Sequence, residues 1–291
     1  MIATSRTLAY GAAIHFGKQV KKERLYKHWP LQRLSDETGI DNTHLSRIEH
    51  GKRNPTEKIA GAMDKAFPHR DGWFLEFYFD SLIGIPPGLR SWREHEDKAV
   101  RLDVWVPSNI GGLFQTEAYA EALLRTSAGT TDEQVQGRLA ARMARKERVL
   151  NRDDEPPVIT YVVDHVALLR LVGSPEIMTA QLEHLIELSE RPNIDVYVMP
   201  VIGHPAMESG LVIADNHAAY VEHLGGGVVY IEPDRVDSFS HTFRVIRGEC
   251  YRASDSAAIV RKARELWSGV SRATAGRTVA SASKPRRKPA P

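Results

Sequence analysis

The stretch that decides the fold of the N-terminal part is LSDETGIDNTHLSRIEHGKR, residues 34–53. Gly39 can adopt the positive φ that ends one short helix, and Asp41 is a suitable N-cap for the next. Two helices joined by so tight a turn form a helix-turn-helix. Four apolar residues are spaced so that both helices share one core: Leu34, Ile40, Leu45 and Ile48.

The second helix of this pair carries polar residues on its outer face, namely Asn42, Thr43, Ser46 and Arg47. Asparagine and arginine are the side chains that make bidentate contacts with adenine and guanine edges. A polar-faced helix after a tight turn is typical of a recognition helix in the major groove. The sequence therefore predicts that residues 41–49 bind double-stranded DNA.

The distribution of charge supports a polyanionic partner. Residues 1–65 contain 12 Lys and Arg against 7 Asp and Glu, and residues 272–291 contain 6 basic residues and no acidic ones. That leaves 21 basic and 30 acidic residues for positions 66–271. Basic ends around an acidic body indicate that the ends meet the polyanion and the body does not. The tail could contact DNA non-specifically or only raise solubility, and the sequence leaves both open.

The pattern of elements predicts a multidomain chain. An all-α helix-turn-helix bundle is expected over residues 8–83, and a Gly- and Pro-rich linker over 84–89. Residues 90–269 alternate helical and strand patterns, with βα units followed by short strands, so we expect a mixed α/β (α+β) regulatory or partner-binding domain. Residues 270–291 are rich in Ser, Ala, Pro, Lys and Arg and are expected to be disordered.

The N-terminal block resembles the Xre-type helix-turn-helix of phage-repressor-like regulators, including its ending SRIEHGKR at 46–53. This resemblance implies a structural ion pair between Arg24 and Glu49. It also implies DNA base contacts by Asn42, Thr43, His44 and Arg47, and phosphate contacts by Ser46, Lys52 and Arg53. The sequence departs from the family at Ser35, where alanine is frequent, and at Leu31, where many members carry a phosphate-binding glutamine.

The second domain resembles the C-terminal domain of a large actinobacterial group of Xre-type regulators, whose usual motif is PGLLQTExYA. The corresponding stretch here is GLFQTEAYA at 112–120, and the resemblance spans most of 90–268. The sequence departs from this family at Phe114, where leucine is usual, and at His165, where an acidic residue is common. Some relatives are antitoxin-like, so the resemblance implies a small partner protein, often encoded by a neighbouring gene. The residues alone also explain the motif as a helix start, because Thr116 can cap it.

An enzymatic function has little support in the sequence. Asp164 and His165 follow a predicted strand, where α/β enzymes often place their chemistry. However, the HExxH, GxSxG, GxGxxG and P-loop patterns are all missing. Residues 225–227, three glycines, are typical of a hairpin turn rather than a phosphate cradle. We therefore predict no catalytic residue, no cofactor and no metal, and the alternative is an enzyme fused to a DNA-binding module.

The expected cellular setting is a reducing one. The single cysteine, Cys250, excludes an intramolecular disulfide, and no apolar run is long enough to span a bilayer. The N-terminus does not resemble a secretory signal. We expect a cytoplasmic transcription regulator that forms homodimers and does not enter membranes. The alternative is an antitoxin-like adaptor whose main output is to bind a small partner protein.

Overall fold

The structure is a computed structural model that describes residues 10–82, 87–152, 155–202, 209–223 and 226–282. The chain divides into two compact units. The N-terminal unit comprises the residues up to 93 together with 131–138 and 224–227, and the C-terminal unit comprises the rest. No helix of the described residues is both long enough and apolar enough to cross a membrane.

The N-terminal unit is a bundle of short helices, as the sequence predicted, and its third helix falls within the predicted segment 41–49. Pro30 and Gly39 flank the second helix, and the side chains of Asp41 and Thr56 cap the third and fourth. The helices are α1 Tyr10–Tyr26, α2 Leu31–Thr38, α3 Asn42–Glu49, α4 Glu57–Ala66 and α5 Trp73–Leu82, with a short 3-10 helix at Pro68–Arg70.

The core of this unit is strongly aromatic, because α5 turns its rings against α1 and α4. Phe16 of α1 meets Phe74 edge-on, with ring centroids 5.3 Å apart. Trp73 stacks on Phe77 at 4.8 Å. Aromatic pairs in these arrangements stabilise a core beyond their buried area, so α5 forms a stable base for the helix-turn-helix.

The C-terminal unit is built around a mixed six-stranded sheet in the order β3-β2-β1-β4-β5-β6. The first three strands in the chain pair in parallel, and β4 pairs antiparallel with both β1 and β5. This arrangement confirms the predicted α+β class. The strands are β1 Arg101–Val106, β2 Val158–Asp164, β3 Ile194–Met199, β4 Leu211–Ala214, β5 Ala218–His223 and β6 Gly226–Tyr230.

The hairpin between β4 and β5 is fixed by Asp215 and Asn216, which adopt φ values of 50° and 55°. Aspartate and asparagine are the residues other than glycine that tolerate this region most readily. The Asp215 carboxylate also accepts hydrogen bonds from the backbone N–H groups of Val100 and Arg101. The turn thus ties the start of β1 to the adjacent hairpin.

Several helices pack on the sheet. The side chains of α11 pack on Trp105, Val162 and neighbouring apolar residues of one face, while α10 and α12 pack on each other and on β3. The helices that follow α5 along the chain are α6 Pro87–Glu96, α7 Glu117–Leu124, α8 Asp132–Leu150, α9 His165–Leu169, α10 Pro175–Ser189, α11 Pro233–Glu249 and α12 Ala253–Ala282.

Three elements differ from the sequence-based expectation. Helix α12 continues to Ala282, through residues 270–282 that were expected to be disordered, because Ala and Arg are strong helix formers. Helix α6 begins at Pro87, inside the predicted linker, since proline is tolerated in the first turn of a helix. The helix α9 was not predicted. Residues 83–86, 283–291 and part of the expected glycine turn at 225–227 lie outside the described residues.

Candidate nucleic-acid interface

The turn between α2 and α3 is held by side chains on both of its sides. Gly39 ends α2 with a φ of 66°. The hydroxyl of Ser35 donates to the Ile40 carbonyl at 2.7 Å, and Asp41 Oδ1 accepts from the backbone N–H of His44 at 2.9 Å. Serine at position 35 therefore satisfies a carbonyl of the turn itself, which accounts for a side chain larger than the frequent alanine.

The inner face of α3 is anchored by apolar contacts and one ion pair. Leu45 and Ile48 are fully buried in the core. Arg24 Nε and Nη2 donate to the two carboxylate oxygens of Glu49 at 2.7 and 3.0 Å, while Nη1 donates to the Trp29 carbonyl at 2.8 Å. The hydrogen bond to Glu49 raises the pKa of Arg24 above its ordinary value. This bidentate pair fixes the end of α3 against α1.

Helices α1 and α3 approach each other so closely that only glycine fits between them. A Cβ on Gly17 would lie 2.0 Å from the carbonyl oxygen of Ile48. Because that oxygen belongs to the backbone of α3, it has no side-chain rotation available to move away. The position and tilt of α3 are thus set by direct backbone contact.

The outer face of α3 and the segment after it carry exposed polar groups. Thr43, Arg47, Lys52 and Arg53 are exposed, and Ser46 is half-buried. The three cations form no ion pair within the part of the chain that the structure describes. Their charges are therefore available to phosphate groups or to the edges of bases.

Asn42 and His44 are less accessible than the rest of the predicted set. Asn42 Nδ2 donates to Gln32 Oε1 at 2.5 Å, and Gln32 Nε2 in turn donates to Asp36 at 2.9 Å. His44 lies beside Asp41, with its Nδ1 3.9 Å from the carboxylate. Gln32 was not among the residues predicted from the sequence. The feature that could have pointed to it is its amide side chain in the first turn of α2, the helix that precedes α3.

The first two residues of the QTE motif, which is residues 115–117 of the stretch GLFQTEAYA, make hydrogen bonds within the C-terminal unit. Gln115 is buried; its Nε2 donates to the Ile110 carbonyl at 2.6 Å, and its Oε1 accepts from Arg142 at 2.7 Å. Thr116 caps α7, as the sequence suggested, through a bond from the backbone N–H of Tyr119. Both side chains therefore stabilise the start of α7.

A buried glutamine of α10 completes this arrangement. Gln181 Oε1 accepts from the backbone N–H of Thr116 at 2.7 Å, and its Nε2 donates to the Phe114 carbonyl at 2.8 Å. The ring of Phe114 stacks on that of Tyr161 at 3.9 Å, so the phenylalanine that departs from the family motif fills the space over β2. Burial raises the pKa of the Tyr161 hydroxyl, which receives the N–H of Gly111 at 2.8 Å.

Titratable groups of α8 and α10 lie close together beside the motif. Lys146 Nζ is 2.7 Å from His184 Nε2 and donates to the Gln115 carbonyl at 2.9 Å. Burial, with the lysine charge as a further cause, lowers the pKa of His184, and burial also lowers that of Lys146. The lowered pKa favours the neutral imidazole, whose unprotonated Nε2 accepts a hydrogen bond from the Lys146 ammonium.

The Asp164–His165 pair has a structural explanation. Asp164 is buried and caps α9, accepting the backbone N–H of Val166 at 2.7 Å. His165 lies at the edge of an open groove of about 540 Å³ between α9 and α12. Among the described residues, no three His, Cys, Asp or Glu side chains are grouped so that they could hold a metal ion.

Comparison with known proteins agrees with this geometry. Residues 20–70 match a family described as helix-turn-helix. The matched residues include α2, α3 and the Arg24–Glu49 pair. No curated protein matches the chain. Residues 89–262, more than half of the chain, match a family described as a domain of unknown function. The chain therefore belongs to the DUF5753 family, and it carries a helix-turn-helix of the DNA-binding regulator type at its N-terminus.

Proposed function

We propose that this protein is a sequence-specific transcription regulator that inserts α3 into the major groove of double-stranded DNA. The observation that carries the proposal is the two-sided construction of α3. Its inner face is fixed by Leu45, Ile48 and the Arg24–Glu49 pair, while Thr43 and Arg47 are exposed on the outer face. A rigidly held helix with exposed polar side chains has the geometry that reading base edges requires.

Roles follow from side-chain chemistry and accessibility. We assign base contacts to Asn42, Thr43, His44 and Arg47, with Arg47 the best suited to a guanine edge because it is exposed and bidentate. We assign phosphate contacts to Ser46, Lys52 and Arg53. For Asn42 to donate to a base, its bond to Gln32 has to be shared or exchanged, so its contribution should be smaller than that of Arg47.

The decisive experiment is selection of binding sites from random duplex DNA, followed by affinity measurements on the selected site. Arg47→Ala should weaken binding about 5- to 150-fold, the equivalent of about 1–3 kcal/mol, and relax specificity at one base pair. Lys52→Ala should weaken binding to all sequences and reduce the salt dependence by about one phosphate contact.

Lys65→Ala is a matched control for these measurements, because Lys65 is an exposed lysine in the last turn of α4, outside α3 and the segment after it. It should leave specificity unchanged. Failure to select any sequence, together with a wild-type salt dependence for Lys52→Ala, would contradict the assignment of α3 as the recognition helix.

The remaining parts of the proposal concern assembly and regulation. We propose that the regulator acts in the cytoplasm as a homodimer on a pseudo-palindromic operator whose half-sites lie about 34 Å apart. The C-terminal unit is proposed as a non-enzymatic regulatory part that responds to a small partner protein from a neighbouring gene or to a ligand. Footprinting on the DNA around its own gene tests the operator, and co-purification with the product of an adjacent small gene tests the partner.

A further inference from the structure

The surface between α9 and α12 is an open groove with apolar side chains exposed on both of its sides. The groove there has a volume of about 540 Å³. Leu169 on α9 is 44% exposed and Leu266 on α12 is 52% exposed. A second molecule that covered these two leucines would remove their apolar surface from water, which is favourable.

The charged residues of the groove indicate which charges a molecule bound there must carry. Asp255 and Lys262 both line it, both are exposed, and neither forms an ion pair within the described residues. They are two turns of helix apart, or about 10 Å along the axis. A uniformly acidic or basic segment would be attracted by one and repelled by the other. The partner must therefore present a positive and a negative group at the same spacing in the opposite direction.

Helix α12 itself meets this requirement when it runs antiparallel to a second copy. The point midway between Asp255 and Lys262 lies between Ala258 and Ile259, which also line the groove. A two-fold axis through this point places each Asp255 opposite the partner copy's lysine at the equivalent of 262. The outermost lining residues, Tyr251 and Leu266, are also equally far from that point in sequence.

We propose that α12 forms a self-complementary homodimer interface, with a second copy of the chain packed antiparallel across the groove. In a two-fold interface the same patch serves both subunits. Ala258 at the centre permits close approach of the helices, and the apolar residues on either side supply the buried area. The inference rests on the dimeric state included in the proposed function and adds the surface that forms the dimer.

The test is sedimentation equilibrium of the full chain with charge reversals. The wild type should dimerise. Asp255→Lys and Lys262→Asp should each raise the dimer dissociation constant about tenfold or more, because each replaces two attractive contacts by two repulsive ones. An equimolar mixture of the two variants should regain the wild-type dissociation constant as a heterodimer, since every contact in the mixed pair joins opposite charges again.

The control variant is Arg261→Glu, which reverses an exposed charge on the same helix at a position that does not line the groove. It should leave the dissociation constant unchanged. Three results would overturn the inference: a wild type that stays monomeric, single reversals that dimerise normally, or a mixture that does not restore the dimer. Far-UV circular dichroism of each single variant, compared with that of the wild type, shows that the chain is folded before the mixture is measured.

Binding of a single half-site duplex separates this inference from the proposed function. The two charge-reversal variants should bind a half-site with wild-type affinity, because α3 is untouched. If the mixture restores dimers while the wild type binds no DNA, the proposed function fails and the interface stands. If half-site binding is normal but the mixture stays monomeric, the interface fails and the DNA-binding function stands.

Discussion

A single methyl group added at Gly17 should loosen the recognition helix, although the same change improves most helices. The new Cβ would lie 2.0 Å from the carbonyl oxygen of Ile48, and 3.1 Å from the carbonyl carbon of Glu49. Carbon atoms in ordinary contact are about 3.5 Å or more apart. Since the opposing atoms are backbone, α1 and α3 must separate by about 1 Å or more to make room.

Two effects of opposite sign determine how much Gly17→Ala changes the stability of the N-terminal unit. Replacing glycine by alanine within a helix stabilises it by about 1 kcal/mol. Overpacking a tight contact costs about 1–3 kcal/mol, and the upper end applies here because a rigid backbone cannot relax as a side chain does. Gly17→Ala should therefore destabilise the N-terminal unit by about 2 kcal/mol. Gly61→Ala is the matched control in α4. A Cβ at Gly61 would lie 3.7 Å from its nearest neighbour, a side-chain carbon of Leu75, so this variant should keep only the stabilisation that alanine gives a helix.

Hydrogen exchange of the full-length protein, read by mass spectrometry, measures both variants. A chain with two units does not have one defined free energy of unfolding, whereas peptide-level exchange reports local opening. Gly17→Ala should speed exchange in α1 and α3 and weaken binding to the selected operator. Gly61→Ala should slow exchange in α4 and leave operator binding unchanged. Slower exchange in α3 of the Gly17→Ala variant would refute the argument from close approach.

Three further predictions concern polar groups inside the fold. Arg24→Ala should lower the stability of the N-terminal unit by about 3–5 kcal/mol, because it leaves the buried Glu49 carboxylate without a partner. The double change Arg24→Met with Glu49→Leu should recover most of that stability, and hydrogen exchange in α3 measures both variants. Gln181→Leu should cost about 3 kcal/mol by leaving two backbone groups at the start of α7 unsatisfied, seen as faster exchange there. The pKa values of His15 and His184 are lowered by burial, so the unfolded chain takes up their protons first. The free energy of unfolding should therefore be highest above about pH 6.5 and fall as the pH drops below it. Thermal unfolding across this range should show a smaller fall for His184→Gln than for the wild type, and an equal fall would show that His184 does not contribute.

The helix-turn-helix was predictable because its boundaries are encoded by neighbouring residues. Pro30 and Gly39 limit α2 without reference to the rest of the chain, and Asp41 caps α3 through its own side chain. The apolar spacing then assigns the inner face. Local rules of this kind hold when the residues that end an element lie beside it in sequence.

The features that were not predicted depend on residues far away in the sequence or on a composition that fits two structures. Gln181 holds the loop before α7 from 65 residues away, and no local pattern connects the two. The bond between Gln32 and Asn42 joins two helices and exists only once their crossing is set. The end of α12 is rich in Ala, Ser and Arg, a composition that suits a helix and a disordered tail equally well, so the sequence could not place the boundary.

The QTE motif shows how a family pattern can record a requirement of folding rather than a binding site. Both polar ends of the Gln115 side chain are engaged, and the loop at 110–116 is closed by the stacked rings of Phe114 and Tyr161 and by the bond from Gly111 to the tyrosine hydroxyl. A ligand that bound here would have to break one of these bonds, and an unsatisfied buried group costs about 1–3 kcal/mol. Asp255 and Lys262 on α12 form no hydrogen bond or ion pair of their side chains among the described residues, so a contact with a second copy there adds interactions without removing any from the fold.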